Sequence, residues 1–245
     1  MTGMTSQGIE SAEADWQYRL NTEGDDAMLT IYCATNFPPP LIGVIRDLSA
    51  VWAAEELNLP YIIEWLDAKA GEHHAEWYRD YSAFLKFPAI ADGEARLSES
   101  AAIVAYLADK ARRMIPPPGA LERSEHDQWL YAALNTIEPS VFNVFLCDTF
   151  WAGMENVAAF RAALVTTARD RLVSLDKVLA KSAYLTGDDF QACDIVMAHV
   201  LGFIRDESLL DGLENLRSYR DRCFARPAYQ NALAIQTAGK QSEAA

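Results

Sequence analysis

The chain has few cationic residues. Its 245 residues include 21 Lys and Arg against 35 Asp and Glu, which gives a formal net charge of −14. A charge of this sign repels phosphate backbones and anionic lipid surfaces. The apolar runs are short and interrupted by charge, and none approaches the roughly 20 residues needed to cross a bilayer. We therefore expect a soluble protein with no nucleic-acid partner and no membrane partner.

Cysteine is also scarce, and the four cysteines lie far apart with no CxxC pair among them. They are Cys33, Cys147, Cys193 and Cys223. This spacing predicts neither a disulfide framework nor a zinc site. The adjacent histidines His73 and His74 point to different sides of any regular element, so we expect no metal.

The first 27 residues lack the features of a secretory signal. They carry six acidic residues against a single arginine, with no basic stretch followed by an apolar one. We predict a flexible extension over residues 1–27 and a cytoplasmic location.

Residues 28–113 show alternating strand and helix patterns. Strands are predicted at 28–33, 61–66, 87–91 and 94–97, with Asp92-Gly93 as a tight turn between the last two. A helical pattern begins near Gly43, and Ser98 is a candidate N-cap for a second helix. A strand–helix–strand unit implies a parallel pair, and the hairpin adds an antiparallel edge. The pattern predicts an α/β domain built on a small mixed sheet.

The strand patterns end at a proline-rich linker over residues 114–121. After it, helices are predicted at 123–150, 192–206, 212–224 and 227–238, with a tail at 239–245. A further helix is indicated by apolar residues at spacings of three and four. These are Phe160, Leu164, Ala168, Leu172, Leu175 and Leu179. Residues 122–238 therefore form a predicted all-helical domain.

Four motifs, which follow one another along the chain as they do in the family, resemble the cytosolic glutathione transferases. They are residues 87–108, which contain FPAIADG, LSESAAI and YLA; residues 52–61, WAAEELNLPY; residues 190–195, FQACDI; and residues 226–229, RPAY. Gly43-x-x-Arg46-Asp47-Leu48 resembles a bacterial-type subgroup. The resemblance implies an N-terminal thioredoxin-like domain that holds glutathione, followed by an all-helical domain. It also implies that Asp194 caps a buried helix by accepting the Gln191 N–H.

The resemblance implies a glutathione site within the first of these motifs. A cis bond before Pro88 would turn the Phe87 backbone toward the cysteinyl part of glutathione. Ser100, at a helix N-terminus, would hold the γ-glutamyl carboxylate, and Glu99 its ammonium group. Lys86 would lie near the glycine carboxylate. The alternatives are that Pro88 merely ends a loop and that Glu99 is an ordinary first-turn residue.

The residue that activates the thiol is not evident. The family uses a Tyr, Ser or Cys near the start of the first helix, and a gapless count from Trp52 places Ile45 there. Arg46 is our candidate, since its guanidinium stays charged and stabilises a thiolate; the alternative is an exposed cluster with Asp47. Five other candidates stay open. They are Tyr32, Cys33, Thr35, Asn36 and Ser49.

By resemblance, the protein conjugates the glutathione thiolate to a small hydrophobic electrophile as a homodimer with a role in detoxification. The electrophile would lie against the helical domain, where four aromatic residues are candidate wall residues. They are Phe142, Phe145, Phe150 and Trp151. The alternatives are a non-catalytic glutathione-binding module, or a glutathione-dependent reductase or dehalogenase on the same fold.

Overall fold

A four-stranded mixed sheet forms the first half of the molecule. The computed structural model describes residues 28–241, so the predicted extension over residues 1–27 and the last part of the predicted tail lie outside it. The strands are β1 (Leu29–Thr35), β2 (Tyr61–Asp67), β3 (Ala89–Asp92) and β4 (Ala95–Ser98), in the spatial order β2-β1-β3-β4. β1 and β2 run parallel, whereas β1–β3 and β3–β4 are antiparallel. The predicted parallel pair and hairpin are both confirmed.

The crossover between β1 and β2 contains helix α1 (Asp47–Leu57). It begins four residues after the predicted start, because residues 42–46 form turns in which Gly43 takes a positive φ of 78° that a helix does not allow. The helix ends at Leu57, and the next residue, Asn58, takes a left-handed conformation (φ 54°) before Pro60.

Helix α1 is buried on nearly all sides, because it lies between the sheet and the helical domain. Nine of its eleven residues are buried. The Trp52 ring lies 4.9 Å from the Tyr229 ring and 5.8 Å from the Phe190 ring. At the end of the helix, Glu56 accepts hydrogen bonds from the Arg226 guanidinium at 2.5 and 2.7 Å. Residues of both domains therefore pack against this helix and bury it.

Helix α2 (Ser100–Ala111) follows β4 directly. Its N-cap is Glu99, with φ 73° and no side-chain capping bond, whereas Ser98 is the last residue of β4. The prediction that Ser98 caps this helix is therefore wrong. The strand continues one residue further than its sequence pattern indicates, and the chain turns sharply at Glu99.

The rest of the described chain is helical. The helices are α3 (Leu121–Ala132), α4 (Glu138–Thr149), α5 (Val157–Leu179), α6 (Ala192–Leu201), α7 (Glu214–Phe224) and α8 (Pro227–Gln241). A π-helical segment, Ala133–Ile137, interrupts the helix predicted over 123–150, α6 stops before residue 206, and α8 continues beyond residue 238. None of the helices in the described part of the chain has the length and apolar character that crossing a bilayer requires.

The core of the helical domain surrounds α6, in which every residue is buried. From the apolar stripe predicted on α5, Ala168, Leu172, Leu175 and Leu179 are buried against the core, whereas Phe160 is 52% exposed. The stripe therefore covers only the later turns of α5.

The Asp194 carboxylate caps α6 as expected. It accepts the Gln191 N–H at 2.8 Å, the Leu185 N–H at 3.1 Å and the Tyr219 hydroxyl at 2.9 Å. Burial raises the pKa of Asp194 to about 6, against the lowering effect of these three bonds.

Candidate functional site

A cleft of about 1040 Å³ lies at the edge of the sheet where β1 and β2 end. Asn36 follows β1 and Lys69 follows β2, and both line it. The carboxyl ends of parallel strands meet at one edge, and ligand sites of α/β sheets commonly form there. The β1–α1 loop, the start of α2 and one face of the helical domain supply the other walls.

The residues predicted to hold glutathione all line this cleft. Phe87, Pro88, Glu99, Ser100 and Lys86 are brought together in it. The Phe87–Pro88 bond is cis. The predicted residues are separated by up to 14 positions in the sequence, and the β3–β4 hairpin returns the chain to the same place.

Ser100 and Glu99 occupy the N-terminus of α2. Ser100 lines the cleft and is 5% exposed, and the first N–H groups of a helix attract an anion. Glu99 is exposed, and its φ of 73° is rarely adopted by a residue with a Cβ. Backbone strain of this kind is often retained at ligand sites. The arrangement can bind a carboxylate at Ser100 and a cation at Glu99.

The cleft carries cationic side chains in an acidic protein. Arg46, Lys69 and Lys86 line it, against Glu99 as the one acidic side chain among its lining residues in the described part of the chain. His73 also lines it, with its ring 5.1 Å from the Phe87 ring. Burial, followed by the charges of His74 and Lys86, lowers the pKa of His73. The site therefore attracts anions locally although the whole protein is negative.

Arg46 forms an ion pair with Glu138, the first residue of α4. Burial raises the pKa of Glu138, whereas Arg46 lowers it. The alternative interpretation, an exposed Arg46–Asp47 cluster, is wrong because Asp47 is only 1% exposed. The charge of Arg46 faces the cleft but is shared with a carboxylate of the helical domain.

Among the six candidate activators, Arg46 and Asn36 line the cleft and the other four do not. The Asn36 Nδ2 donates to the Asp67 carboxylate at 3.1 Å. Tyr32 is buried with its ring 4.8 Å from the Tyr81 ring. Burial raises the pKa of Cys33 well above that of a free thiol, which opposes thiolate formation. Thr35 and Ser49 are buried as well.

The opposite wall of the cleft is apolar. Phe142 lines it, as predicted, together with Phe203, which the sequence did not indicate. Phe145 is buried behind them, with its ring 5.4 Å from the Phe203 ring, and Phe150 and Trp151 lie outside the lining. Sequence reasoning also missed Lys69, although its place just after a strand parallel to β1 is a usable signal.

The chain is similar in sequence to glutathione S-transferases. Residues 49–110 match the family described as glutathione S-transferase, N-terminal domain. Glutathione S-transferase F9 of Arabidopsis thaliana is 26% identical over 182 residues, which cover 69% of this chain and 83% of that protein. Probable glutathione S-transferase GSTF2 of Oryza sativa subsp. japonica is 29% identical over 191 residues, covering 74% and 87%.

Solved structures resemble the whole described chain. Glutathione transferase F2 from Populus trichocarpa superposes with a TM-score of 0.75 at 20% identity, covering 86% of this chain and 99% of that one. A glutathione transferase family member from Pseudomonas fluorescens pf-5, solved with two glutathione molecules bound, gives a TM-score of 0.74 at 23% identity, covering 88% and 96%.

Proposed function

We propose that the chain is a glutathione transferase, because its fold is that of the glutathione transferases and its residues 49–110 match the glutathione S-transferase N-terminal domain family. In this proposal it binds glutathione in the cleft and conjugates the thiolate to a small hydrophobic electrophile. One observation carries the proposal: Phe87, Pro88, Glu99 and Ser100 line a single cleft with three cationic side chains.

The proposed binding mode follows the charges of the cleft. The γ-glutamyl carboxylate lies at Ser100 and the first turn of α2, where helix N–H groups favour an anion. The ammonium group of glutathione faces Glu99. The Phe87 backbone pairs with the cysteinyl backbone, and Lys86 faces the glycine carboxylate. Lys69 is a further cation in the lining of the cleft.

The proposed chemistry is nucleophilic attack by the bound thiolate. The thiol loses its proton to solvent, and the positive charge of Arg46 lowers the cost of the resulting anion. The sulfur then forms a bond to the electrophilic carbon, and the leaving group departs with its bonding electrons. Phe142 and Phe203 form an apolar wall of the cleft. An apolar wall favours an apolar ligand, which supports a small hydrophobic electrophile as the substrate.

Ultraviolet absorption of the thiolate tests this proposal directly. Titrating the protein with glutathione should produce thiolate absorption at neutral pH, where free glutathione is almost entirely protonated. In Arg46→Met the pKa of the bound thiol should rise, so thiolate absorption and turnover fall at neutral pH while glutathione affinity changes little. A wild-type pH profile in Arg46→Met would transfer the activating role to Asn36.

Removing Arg46 also leaves Glu138 buried without its ion pair, which is costly by itself. A double variant, Arg46→Met with Glu138→Gln, avoids that charge. We expect the same loss of thiolate absorption in the double variant, with less loss of stability than in the single variant.

Thiolate absorption, together with product analysis after an oxidised or a halogenated substrate is added, separates the alternatives from the sequence. A non-catalytic module binds glutathione without thiolate absorption. A reductase consumes glutathione to form its disulfide, and a dehalogenase releases halide. Arg46 in the cleft favours the transferase over the non-catalytic module. Its positive charge can stabilise the thiolate in place of the Ser, Cys or Tyr that the family uses.

The resemblance also supports a homodimer, a cytoplasmic location and a role in detoxification as parts of this proposal. Two-fold dimers are the commonest oligomers. Light scattering at micromolar concentration should give twice the 27.2 kDa mass of one chain. A mass equal to that of one chain would refute the dimer and leave the binding proposal intact.

A further inference from the structure

The loop between β1 and α1 forms one wall of the cleft, yet it has little regular structure of its own. Seven of the cleft's lining residues lie between positions 36 and 46. The loop contains a single short 3₁₀ turn, Pro39–Leu41, and its Gly43 takes a positive φ. The position of Arg46 and Ile45 at the cleft therefore depends on what holds the loop from behind.

Gln236, on helix α8, provides that contact. Its side chain is 3% exposed and does not line the cleft. Its Oε1 accepts the Gly43 N–H at 2.8 Å, and its Nε2 donates to the Ile45 carbonyl at 3.3 Å. Nε2 also donates to the Asp47 Oδ1 at 2.5 Å.

Asp47 extends this contact to the sheet. Its Oδ2 accepts the Ala34 N–H at 2.8 Å, at the end of β1. One side-chain amide and one carboxylate thus connect the end of β1, the loop and the first residue of α1. Both side chains are buried, so the bonds are shielded from water and costly to leave unmade.

Helix α8 is itself held firmly behind the loop. Its Tyr229 ring packs on Trp52, and a Cβ added at Gly239 would come within 2.3 Å of the Trp65 ring. Leu233 lies near Gly43, at 3.6 Å from the position of an added Cβ. Gln236 therefore projects from α8 onto a loop that other side chains also contact. Arg205 donates to the Ile42 carbonyl at 2.9 Å, and the His199 Nε2 lies 3.2 Å from the Val44 carbonyl oxygen. Gln236 adds the contacts that join Gly43, Ile45 and Asp47.

We propose that Gln236 is a positioning residue, which holds the Gly43–Arg46 segment at the cleft wall and couples helix α8 to glutathione binding. The coupling to glutathione rests on the function proposed above, whereas the hold on the loop does not. The charged and titratable groups that face this network are Asp47, Cys33 on β1 and Tyr78. The held segment itself carries Arg46 and is also contacted by His199, at the Val44 carbonyl, and by Arg205, at the adjacent Ile42 carbonyl. Burial already raises the pKa of Asp47 to about 6.

Gln236→Glu tests this proposal through a pH dependence of glutathione affinity that a general loss of stability would not produce. The introduced carboxyl group can still accept the Gly43 N–H, but it faces the Asp47 carboxylate at hydrogen-bond distance. Two buried carboxyl groups this close share one proton and resist losing it. We expect nearly wild-type glutathione affinity near pH 6 and a loss of about tenfold by pH 9, relative to the wild-type protein at each pH. Gln230→Glu, an exposed position on the same helix, is the matched control and should follow the wild type.

Hydrogen exchange of the loop supplies a readout that does not need glutathione. In Gln236→Leu, the peptide containing residues 37–46 should exchange about tenfold faster than in the wild type or in Gln230→Leu. Unchanged loop exchange, or a Gln236→Glu affinity that follows the wild type across this pH range, would overturn the proposal. If the wild type binds no glutathione, the proposed function fails, and loop exchange alone decides whether Gln236 holds the loop.

Discussion

Ser100→Ala should weaken glutathione binding about ten- to a hundredfold. A hydrogen bond to a charged group is worth about 1.5–3 kcal/mol, and each 1.4 kcal/mol is a factor of about ten in affinity. Ser100 is the first residue of α2 and is 5% exposed, so water replaces its hydroxyl poorly. The substitution removes the hydroxyl but keeps the backbone N–H groups of the helix N-terminus, which is why some affinity should remain.

Calorimetric titration with reduced glutathione measures this effect. Ser174→Ala serves as the control, since Ser174 is exposed on α5 and its hydroxyl donates only to the Asp170 carbonyl one turn earlier among the described contacts. Unchanged affinity in Ser100→Ala, with a normal melting temperature, would show that glutathione does not bind at the start of α2. A loss of affinity in both serine variants would point to an effect on folding.

Asp194→Ala should lower the free energy of unfolding by about 3–5 kcal/mol. This is a large fraction of the roughly 5–15 kcal/mol that stabilises a typical folded protein. The carboxylate is fully buried and satisfies three donors, two backbone N–H groups and the Tyr219 hydroxyl. Each buried donor left without an acceptor costs about 1–3 kcal/mol. Asp189→Ala, at an exposed position just before the same helix, should change stability by no more than about 0.5 kcal/mol.

The pH dependence of stability gives a second test of Asp194. Because its pKa is raised from 3.8 to about 6 in the folded state, its stabilising contribution is fully present below pH 4 and declines as pH rises through 6. Asp194→Asn removes this titration. The stability difference between wild type and Asp194→Asn should therefore shrink by about 2 kcal/mol between pH 4 and pH 7. Asp47 also titrates near pH 6, but it does so in both proteins and cancels. A constant difference across this range would show that Asp194 does not titrate there.

Much of the fold could be predicted from the sequence because local patterns determine it. The apolar runs predict the four strands, the Asp92-Gly93 turn predicts the hairpin, and the strand–helix–strand order predicts the parallel pair. The errors lie at the ends and interruptions of helices, where the apolar spacing carries little information. The turns around Gly43 delay the start of α1, Glu99 rather than Ser98 is the N-cap of α2, and the π-helical segment between α3 and α4 has no signal in the apolar spacing.

The glutathione-binding residues could be proposed from one contiguous motif, whereas the partners of Arg46 could not. Glu138 is 92 positions away from Arg46 in the sequence, and Gln236 contacts Gly43 across 193 positions. Nothing in the spacing of these residues links them, because long-range pairing depends on how the two domains pack. The burial of Asp47 was equally hidden from the sequence, which allowed an exposed Arg46–Asp47 cluster. Asp47 is buried because it bonds Gln236 of the distant helix α8 and the Ala34 N–H.

The burial of helix α1 by both halves of the chain has a consequence for taking the protein apart. The linker after α2 suggests a natural place to cut, but a fragment ending there would present Trp52 and its neighbours to water and leave Glu56 without Arg226. Such a fragment would expose an apolar surface that is buried in the intact chain, and would be prone to aggregate. The two domains are separate in sequence and architecture, yet we expect them to unfold together as one cooperative unit. Chimaeras made by exchanging one half must then also exchange the residues that α1 touches.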